Sequence, residues 1–341
     1  MVVVKALHSM LQRWQHNRLS ASLWRPVLSS QGDKVTAPRI LVIKHGARGD
    51  IVQGFDAFAG LRAGRQDAQI TLLTSPPFAE LMRMTGWFDE VIEDYRSPVF
   101  DFRQLRRIRG LLHQQWEMIV DLQCSRRTAR YHRFLTPPVT RWLGTSPGAS
   151  DPYPDFTGVN NVERMKVAIE MAGGQRSLKA SLDWLGADNA LLEDGAVILV
   201  PGCSPAKPSK RWPARHYASL ARQVLTTGRQ VAIVGTAADR DAADSVLEDA
   251  PGCIDLVGKT NLACLTALFA GGYAVIGNDT GPVFLAAKTG VPTLMVMGGD
   301  TDPEMSAPTG TNAGWIKQTS IADVTPEAAL DALNRLIGSK G

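Results

Sequence analysis

The sequence predicts an α/β protein made of two doubly wound, Rossmann-like halves that face a central cleft. Three observations predict it. The chain has 341 residues, a length that suits two domains of roughly 150 residues each. From Arg39 onward, short β-branched runs alternate with helical patterns, the signature of βαβ units on a parallel sheet. The alternation pauses after Leu135 and restarts at Val197, so it occurs twice.

In the first half, strands are expected at Ile40–Lys44, Gln69–Leu73, Glu90–Ile92 and Met118–Leu122, with helices over 51–63, 77–84, 101–115 and 126–135. Thr136–Thr157, rich in Pro, Gly and Ser, interrupts the pattern. One helix follows over 161–173, and Ser181–Gly195 reads as a boundary. In the second half, strands are expected at Val197–Val200, Gln230–Val234, Ile254–Leu256, Ala274–Ile276 and Thr293–Met297. After Pro213, the residues Tyr217, Leu220, Ala221, Val224 and Leu225 make one apolar helical stripe. A last helix begins at Thr325-Pro326, an N-cap followed by proline at the first helical position, and Leu330, Leu333 and Ile337 can bury one face.

Residues 1–38 stand apart. Met1–Trp24 carries Lys5, Arg13 and Arg18 without an acidic residue, and Leu7, Met10, Leu11 and Trp14 fall at helical spacing. Such a basic amphipathic segment suits an anionic membrane surface, or packing on the domain. It has no continuous apolar region of the kind a signal peptide needs. Gly32–Ala37 reads as a linker.

Composition narrows the class. With 44% apolar and 21% charged residues, the chain is neither disordered, collagen-like nor a coiled coil. No apolar run approaches the roughly 18–20 residues of a membrane span. The net charge of +4, from 37 Lys+Arg against 33 Asp+Glu, is too small to imply nucleic acid. Cys124, Cys203, Cys253 and Cys264 form no CxxC or zinc pattern, and dispersed thiols suit a reducing compartment, the cytoplasm.

In doubly wound sheets, ligands bind beyond the carboxyl ends of the strands, so the strand-to-helix turns carry the argument. His45–Asp50 follows the first strand. Its two glycines allow close approach of a ligand, and it lacks the GxGxxG dinucleotide pattern. Asp50 fits a first-turn carboxylate or a general base. The loop Pro201–Pro213 gathers Ser204, Ser209, Lys207, Lys210 and Arg211, a composition suited to a diphosphate or to a solvated basic loop anchored by Trp212. In Gly277–Pro282, Asp279, Thr280 and Gly281 stand at a helix N-terminus, which can bind an anion or simply be capped. Asp300-Thr301-Asp302 is a DxD string, readable as a metal site or as an ordinary Asp-Pro turn. Arginines also gather at 103, 106, 107, 109, 126, 127, 130 and 133. The first four read as a solvated helix face. Those after Asp121-Leu122-Gln123 lie where they can meet an anionic acceptor.

Together these turns resemble the bacterial heptosyltransferases of glycosyltransferase family 9, over about residues 39–338. The resemblance rests on Arg39–Asp50 with the helix after it, on Asp121-Leu122-Gln123 followed by Arg127, on Ser209-Lys210-Arg211-Trp212-Pro213, and on Asp279-Thr280-Gly281-Pro282 with Thr301-Asp302-Pro303. It implies a GT-B fold, with an acceptor-side domain at 39–185, a donor domain at 190–324 and a C-terminal helix at 325–341. It implies Asp50 as catalytic base and Lys210, with Ser204 and Ser209, at the donor diphosphate. Asp279, Thr280 and Gly281 align with donor contacts, Asp239 with a ribose-binding carboxylate, and Thr260 with the adenine pocket. Gln123 and Arg127, in the matching segment, belong to the acceptor side; Arg48, like His45, is unusual for the family beside Asp50 and suits a part in acceptor choice. Phe284 stands where the family usually has histidine.

The expected activity is inverting, metal-independent and cofactor-free transfer of a sugar, heptose by the resemblance. The donor is an ADP-linked nucleoside diphosphate sugar. The acceptor is an anionic glycolipid of the lipopolysaccharide-core type, and nucleic acid is not a partner. The expected place is the cytoplasm, at the inner face of the inner membrane. The alternatives are a nucleotide-sugar epimerase or hydrolase on the same scaffold, and a non-catalytic nucleotide-sugar-binding protein.

Overall fold

The structure is a computed structural model that describes residues 37–98, 101–186, 195–204 and 207–338, without the side chain of Arg48. The expectations for residues 1–36 lie outside the described residues.

The first sheet contains β1 (Arg39–Ile43), β2 (Gln69–Thr74), β3 (Glu90–Glu93), β4 (Met118–Asp121), β5 (Trp142–Gly144) and β6 (Asp151–Pro152), in the order β3-β2-β1-β4-β5-β6. The second contains β7 (Val197–Val200), β8 (Val231–Ile233), β9 (Ile254–Asp255), β10 (Ala274–Asn278), β11 (Thr293–Met297) and β12 (Ala313–Lys317), in the order β12-β11-β10-β7-β8-β9. Adjacent strands are parallel in both sheets. In each, the winding reverses beside the first strand, between β1 and β4 and between β7 and β10. Crevices at such reversals are where doubly wound sheets hold ligands.

The central strands are continuous apolar runs because helices cover both faces. Ile40–Ile43 and Val197–Val200 are buried throughout. In the first half the helices are α1 (Arg48–Gln53), α2 (Phe55–Gly64), α3 (Pro76–Met84), α4 (Phe102–Leu112), α5 (Arg126–Leu135) and α6 (Asn161–Met171). In the second they are α7 (Ala214–Leu225), α8 (Arg240–Asp249), α9 (Leu262–Ala270), α10 (Gly281–Thr289), α11 (Pro303–Ser306) and α12 (Pro326–Gly338).

Local chemistry explains several boundaries. Asp101 accepts from the Gln104 N–H and starts α4, and Ser125 accepts from the Thr128 N–H and starts α5. Thr325 accepts from the Ala328 N–H, as an N-cap before proline should. Gly290, with φ of 82°, ends α10 in the left-handed conformation that glycine adopts without a Cβ penalty.

The expected single helix over 51–63 is two. It starts earlier, at Arg48, and is divided at Gly54, a residue of low helix propensity. The interrupted stretch 136–157 contributes β5 and β6, short strands at the sheet's edge, and β12 is a further edge strand absent from the expectation.

One core cluster runs from the first half into the second, uniting Ile51, Phe55 and Ile169 with Leu268, Val283 and Phe284. A second core, with Leu41, Ile43, Ile108, Leu111 and Tyr131, lies beneath α4 and α5. A third, around Trp212, Tyr217 and Leu333, lies beneath α7 and α12.

Candidate functional site

The turn after β1 is held from across the reversal point. The Gln123 side chain, just beyond β4, accepts from the His45 N–H at 2.9 Å and the Gly46 N–H at 3.3 Å. Gly46 has φ of 86°, and a Cβ there would stand 2.6 Å from the Phe78 ring. The turn therefore needs glycine on both counts. Gln123 is itself positioned by Asp121, whose buried carboxylate accepts from the Gln123 N–H at 3.0 Å and the Cys124 N–H at 2.9 Å. Burial pushes the Asp121 pKa up, against its hydrogen bonds.

Asp50 is the third residue of α1, and its Oδ2 accepts from the Ala47 N–H at 3.1 Å. The first-turn reading of this residue is thus realised. It does not exclude chemistry, because a carboxylate has about four acceptor positions.

Beneath the turn lies a polar cluster that the sequence did not reveal. His45 Nε2 is 2.9 Å from Asp94 Oδ2, and both side chains are buried. The Tyr131 hydroxyl donates to the same oxygen at 2.7 Å, and the Arg96 N–H donates to Oδ1 at 2.8 Å. Burial raises the Asp94 pKa, but the hydrogen bonds from His45 and Tyr131 outweigh it and hold the carboxyl well below the usual aspartate range. Lys44 is buried too, donating to the Leu122 carbonyl at 3.2 Å. Desolvation lowers its pKa, while Asp50, Cys124 and Asp121 act the other way.

Arg127 serves this cluster. It donates to the Ser97 carbonyl at 3.2 Å, the Arg96 carbonyl at 2.9 Å and the Tyr131 hydroxyl at 3.3 Å. In this structure it braces the 94–97 loop, a role that spacing could not show. Of the expected acceptor-side residues, Gln123 lies at the turn beside Asp50. The Arg48 side chain lies outside the described structure.

In the second half, three loops converge beyond β7, β10 and β11. Lys210, in the short 3-10 turn Pro208–Lys210, forms an ion pair with Asp279, and the Thr301 hydroxyl donates to the same Asp279 Oδ2 at 3.1 Å. Asn278 ties the β7 loop to the end of β10. It is fully buried and accepts from the Trp212 N–H at 2.9 Å and the Tyr217 hydroxyl at 3.0 Å. It donates to the carbonyls of Pro201 at 2.8 Å and Gly202 at 3.3 Å. The sequence placed Asn278 in the right turn without marking it; its position at the buried end of an apolar strand was the available signal.

Asp239 folds back on its own loop, accepting from the Thr236 N–H at 2.9 Å and hydroxyl at 2.8 Å. It also lies over Gly202, where a Cβ would be 2.4 Å from its carboxyl carbon, so it borders the same strand ends. Ser204 and Ser209 are exposed on the β7 loop, and Thr260 is half-buried just before α9. Thr280 and Gly281 form the start of α10, whose backbone N–H groups make a site for negative charge. Asp302 caps α11 through the Glu304 N–H at 3.1 Å, as the turn reading of the DxD string expects. Among the described residues, no three His, Cys, Asp or Glu side chains gather as metal ligands would.

The two turns meet through Gly49 and Phe284. A Cβ on Gly49 would lie 3.0 Å from the Phe284 ring, and Phe284 is one turn along α10 from Thr280–Gly281. This contact sets the α1 turn bearing Asp50 against the helix whose start carries Asp279–Gly281. Behind it, Lys288 of α10 reaches Asp56 of α2 at 2.5 Å in an ion pair whose carboxylate is buried and whose ammonium is largely so.

Comparison with known proteins gives the same picture. The profile of glycosyltransferase family 9 (heptosyltransferase) matches residues 155–328, just over half of the chain. The chain is 34% identical over 153 residues to lipooligosaccharide heptosyltransferase 2 of Haemophilus influenzae, covering 38% of this chain and 44% of that protein. It is 29% identical over 195 residues to lipopolysaccharide heptosyltransferase 2 of Salmonella typhimurium, covering 51% and 54% respectively. The chain thus spans about half the length of the curated relatives it matches. The solved structure of E. coli ADP-heptose lipopolysaccharide heptosyltransferase II superposes with a TM-score of 0.65 at 23% identity, over 89% of this chain and 99% of that one. The two sheets form a fold of the GT-B type.

Proposed function

Since the chain belongs to glycosyltransferase family 9, we propose that it is a glycosyltransferase that moves heptose from an ADP-linked donor to an anionic glycolipid of the lipopolysaccharide core. The observation that carries this reading is the contact of Gly49 with Phe284, which brings the Asp50 turn against the anion-binding start of α10. The donor is named by similarity to an ADP-heptose-dependent enzyme. The acceptor is named by similarity to lipopolysaccharide and lipooligosaccharide heptosyltransferases.

In the proposed step, an acceptor hydroxyl attacks the donor's anomeric carbon from the face opposite the diphosphate. Its proton passes to Asp50 as the new C–O bond forms and the bond to the diphosphate breaks, with inversion at carbon. Negative charge then grows on the departing ADP. Lys210, already fixed by Asp279, and the N–H groups at Thr280–Gly281 face that charge. Ser204 and Ser209 flank the diphosphate, while Asp239 and Thr260 border the nucleoside. Gln123 fixes the acceptor-side turn, with Arg127 bracing the loop beside it and Arg48 near the acceptor. We read the reaction as needing no metal, as the resemblance to the family implies. We place the protein in the cytoplasm, at the inner membrane. No helix among the described residues is long and apolar enough to cross a membrane.

The test is Asp50→Asn in a transfer assay with ADP-heptose. We expect turnover to fall by about 10²- to 10⁴-fold with ADP affinity retained. Full turnover in the folded variant removes Asp50 as the base. Donor consumed at an equal rate without acceptor indicates a hydrolase or epimerase. Activity lost with EDTA and restored by Mn²⁺ overturns the metal-free reading.

A further inference from the structure

The outer faces of α4 and α5 have no role in the chemistry above. The two helices bury Ile108, Leu111, Leu112 and Tyr131 against the first sheet. Their opposite sides carry Arg103, Arg106 and Arg107 on α4, and Arg126, Arg130 and Arg133 on α5, all exposed. Neither helix contains an acidic residue. Among the described residues none of the six forms an ion pair, although Arg107 attracts Glu93 and Arg103 attracts Asp101 from farther off. Glu93 pairs with Arg83, Glu117 with Arg65, and Asp101 caps α4.

This arrangement has a cost within the chain. Arg103–Arg107 and Arg126–Arg130 are like charges four residues apart on a helix, a spacing that destabilises. Two large aromatic side chains adjoin the arginines. Phe102 is 79% exposed and Phe134 is 64% exposed, and the Arg133 guanidinium lies over the Phe134 ring at 5.1 Å. The partner that answers both features carries negative charge at its surface and apolar matter just below it.

We propose that the α4–α5 face docks on a bilayer containing anionic phospholipid. The arginines meet the headgroups, and Phe102 and Phe134 enter the boundary between headgroups and acyl chains. The proposal rests on the membrane placement above and names its surface, while its failure would leave the transferase reading standing, because it is tested by adsorption and not by turnover.

The experiment is co-sedimentation of the full chain with vesicles of phosphatidylcholine alone, or of phosphatidylcholine with phosphatidylglycerol. The expected result is adsorption to the second kind only, weakened by salt. The quadruple variant R103Q/R106Q/R107Q/R133Q is expected to bind these vesicles at least about tenfold more weakly, since each arginine near such a surface contributes about fivefold. Its ADP affinity should be unchanged. F102S/F134S, with charge intact, should also bind more weakly. K5A/R13A/R18A, altered only in the N-terminal segment, should keep the preference for phosphatidylglycerol. Wild-type adsorption indifferent to phosphatidylglycerol, or a quadruple variant that binds as the wild type does, overturns the proposal. So does displacement from the vesicles by a stoichiometric amount of a single-stranded oligonucleotide, which would make nucleic acid the partner.

Discussion

Replacing Asn278 with alanine removes an amide that satisfies four partners at the buried end of β10. The Trp212 N–H and the carbonyls of Pro201 and Gly202 lose their bonds at 2.9, 2.8 and 3.3 Å. The Tyr217 hydroxyl keeps its alternative acceptor, the Val200 carbonyl at 3.2 Å. A buried polar group left without a partner costs about 1–3 kcal/mol. Three such groups, partly relieved if water enters the small void, give a loss of about 4 kcal/mol. That is a large part of the roughly 5–15 kcal/mol that holds a domain together. The assay is urea unfolding of the full chain, with ADP binding by calorimetry below the transition. ADP affinity should fall as well, because Asn278 ties together the loops that carry Lys210 and Asp279. Asn278→Asp preserves shape but turns the donor toward two carbonyl oxygens into an acceptor, so it should be as damaging at neutral pH and recover partially in acid. A loss below about 1 kcal/mol for N278A would refute the idea that this side chain fixes the β7 loop against the end of β10.

Two further predictions concern buried charge. The Asp94 carboxyl, although burial opposes its ionisation, is held below its usual range by His45 and Tyr131. Its ionised form therefore stabilises the fold above about pH 4, and that contribution fades as pH falls below it. Asp94→Asn should be less stable than wild type by about 2 kcal/mol at neutral pH, with the gap closing in acid; a gap independent of pH contradicts this. The Asp56–Lys288 pair predicts an asymmetry. Asp56→Ala strands a largely buried ammonium, whose pKa burial already lowers against the attraction of Asp56, and should cost about 3–5 kcal/mol in urea unfolding. Lys288→Met should cost less, since Asp56 keeps the Ala180 N–H at 3.0 Å and Lys166 at 4.0 Å. Equal losses would contradict the asymmetry.

Much of the architecture was legible in sequence because its determinants are local. Ile40–Ile43, Val197–Val200 and Leu294–Met297 are apolar runs of strand length, and the helices between strands announce themselves by period and caps. Trp142–Gly144 and Asp151–Pro152 lie in a Pro-, Gly- and Ser-rich stretch that reads as an interruption. Only their neighbours make them strands. The break at Gly54 was missed because the apolar period continues across it.

The site divides in the same way. The turns bearing Asp50, Lys210 and Asp279 could be found from residue types and spacing, since each follows a recognisable strand. The partners of those turns could not. Arg127, expected on the acceptor side, also donates to the Arg96 and Ser97 carbonyls. His45, Asp94 and Tyr131 are far apart in the chain and meet only through β1, the turn after β3, and α5. Likewise Gly49 and Phe284 belong to different halves, and their contact exists only once both sheets are built. Sequence by itself determined the two sheets, their strand-end turns and the chemical types gathered there, because hydrophobic period, caps and glycines act over a few residues. The tertiary structure alone decided which polar groups are already satisfied and which turns touch, because burial and pairing between distant segments are set by packing that no local pattern encodes.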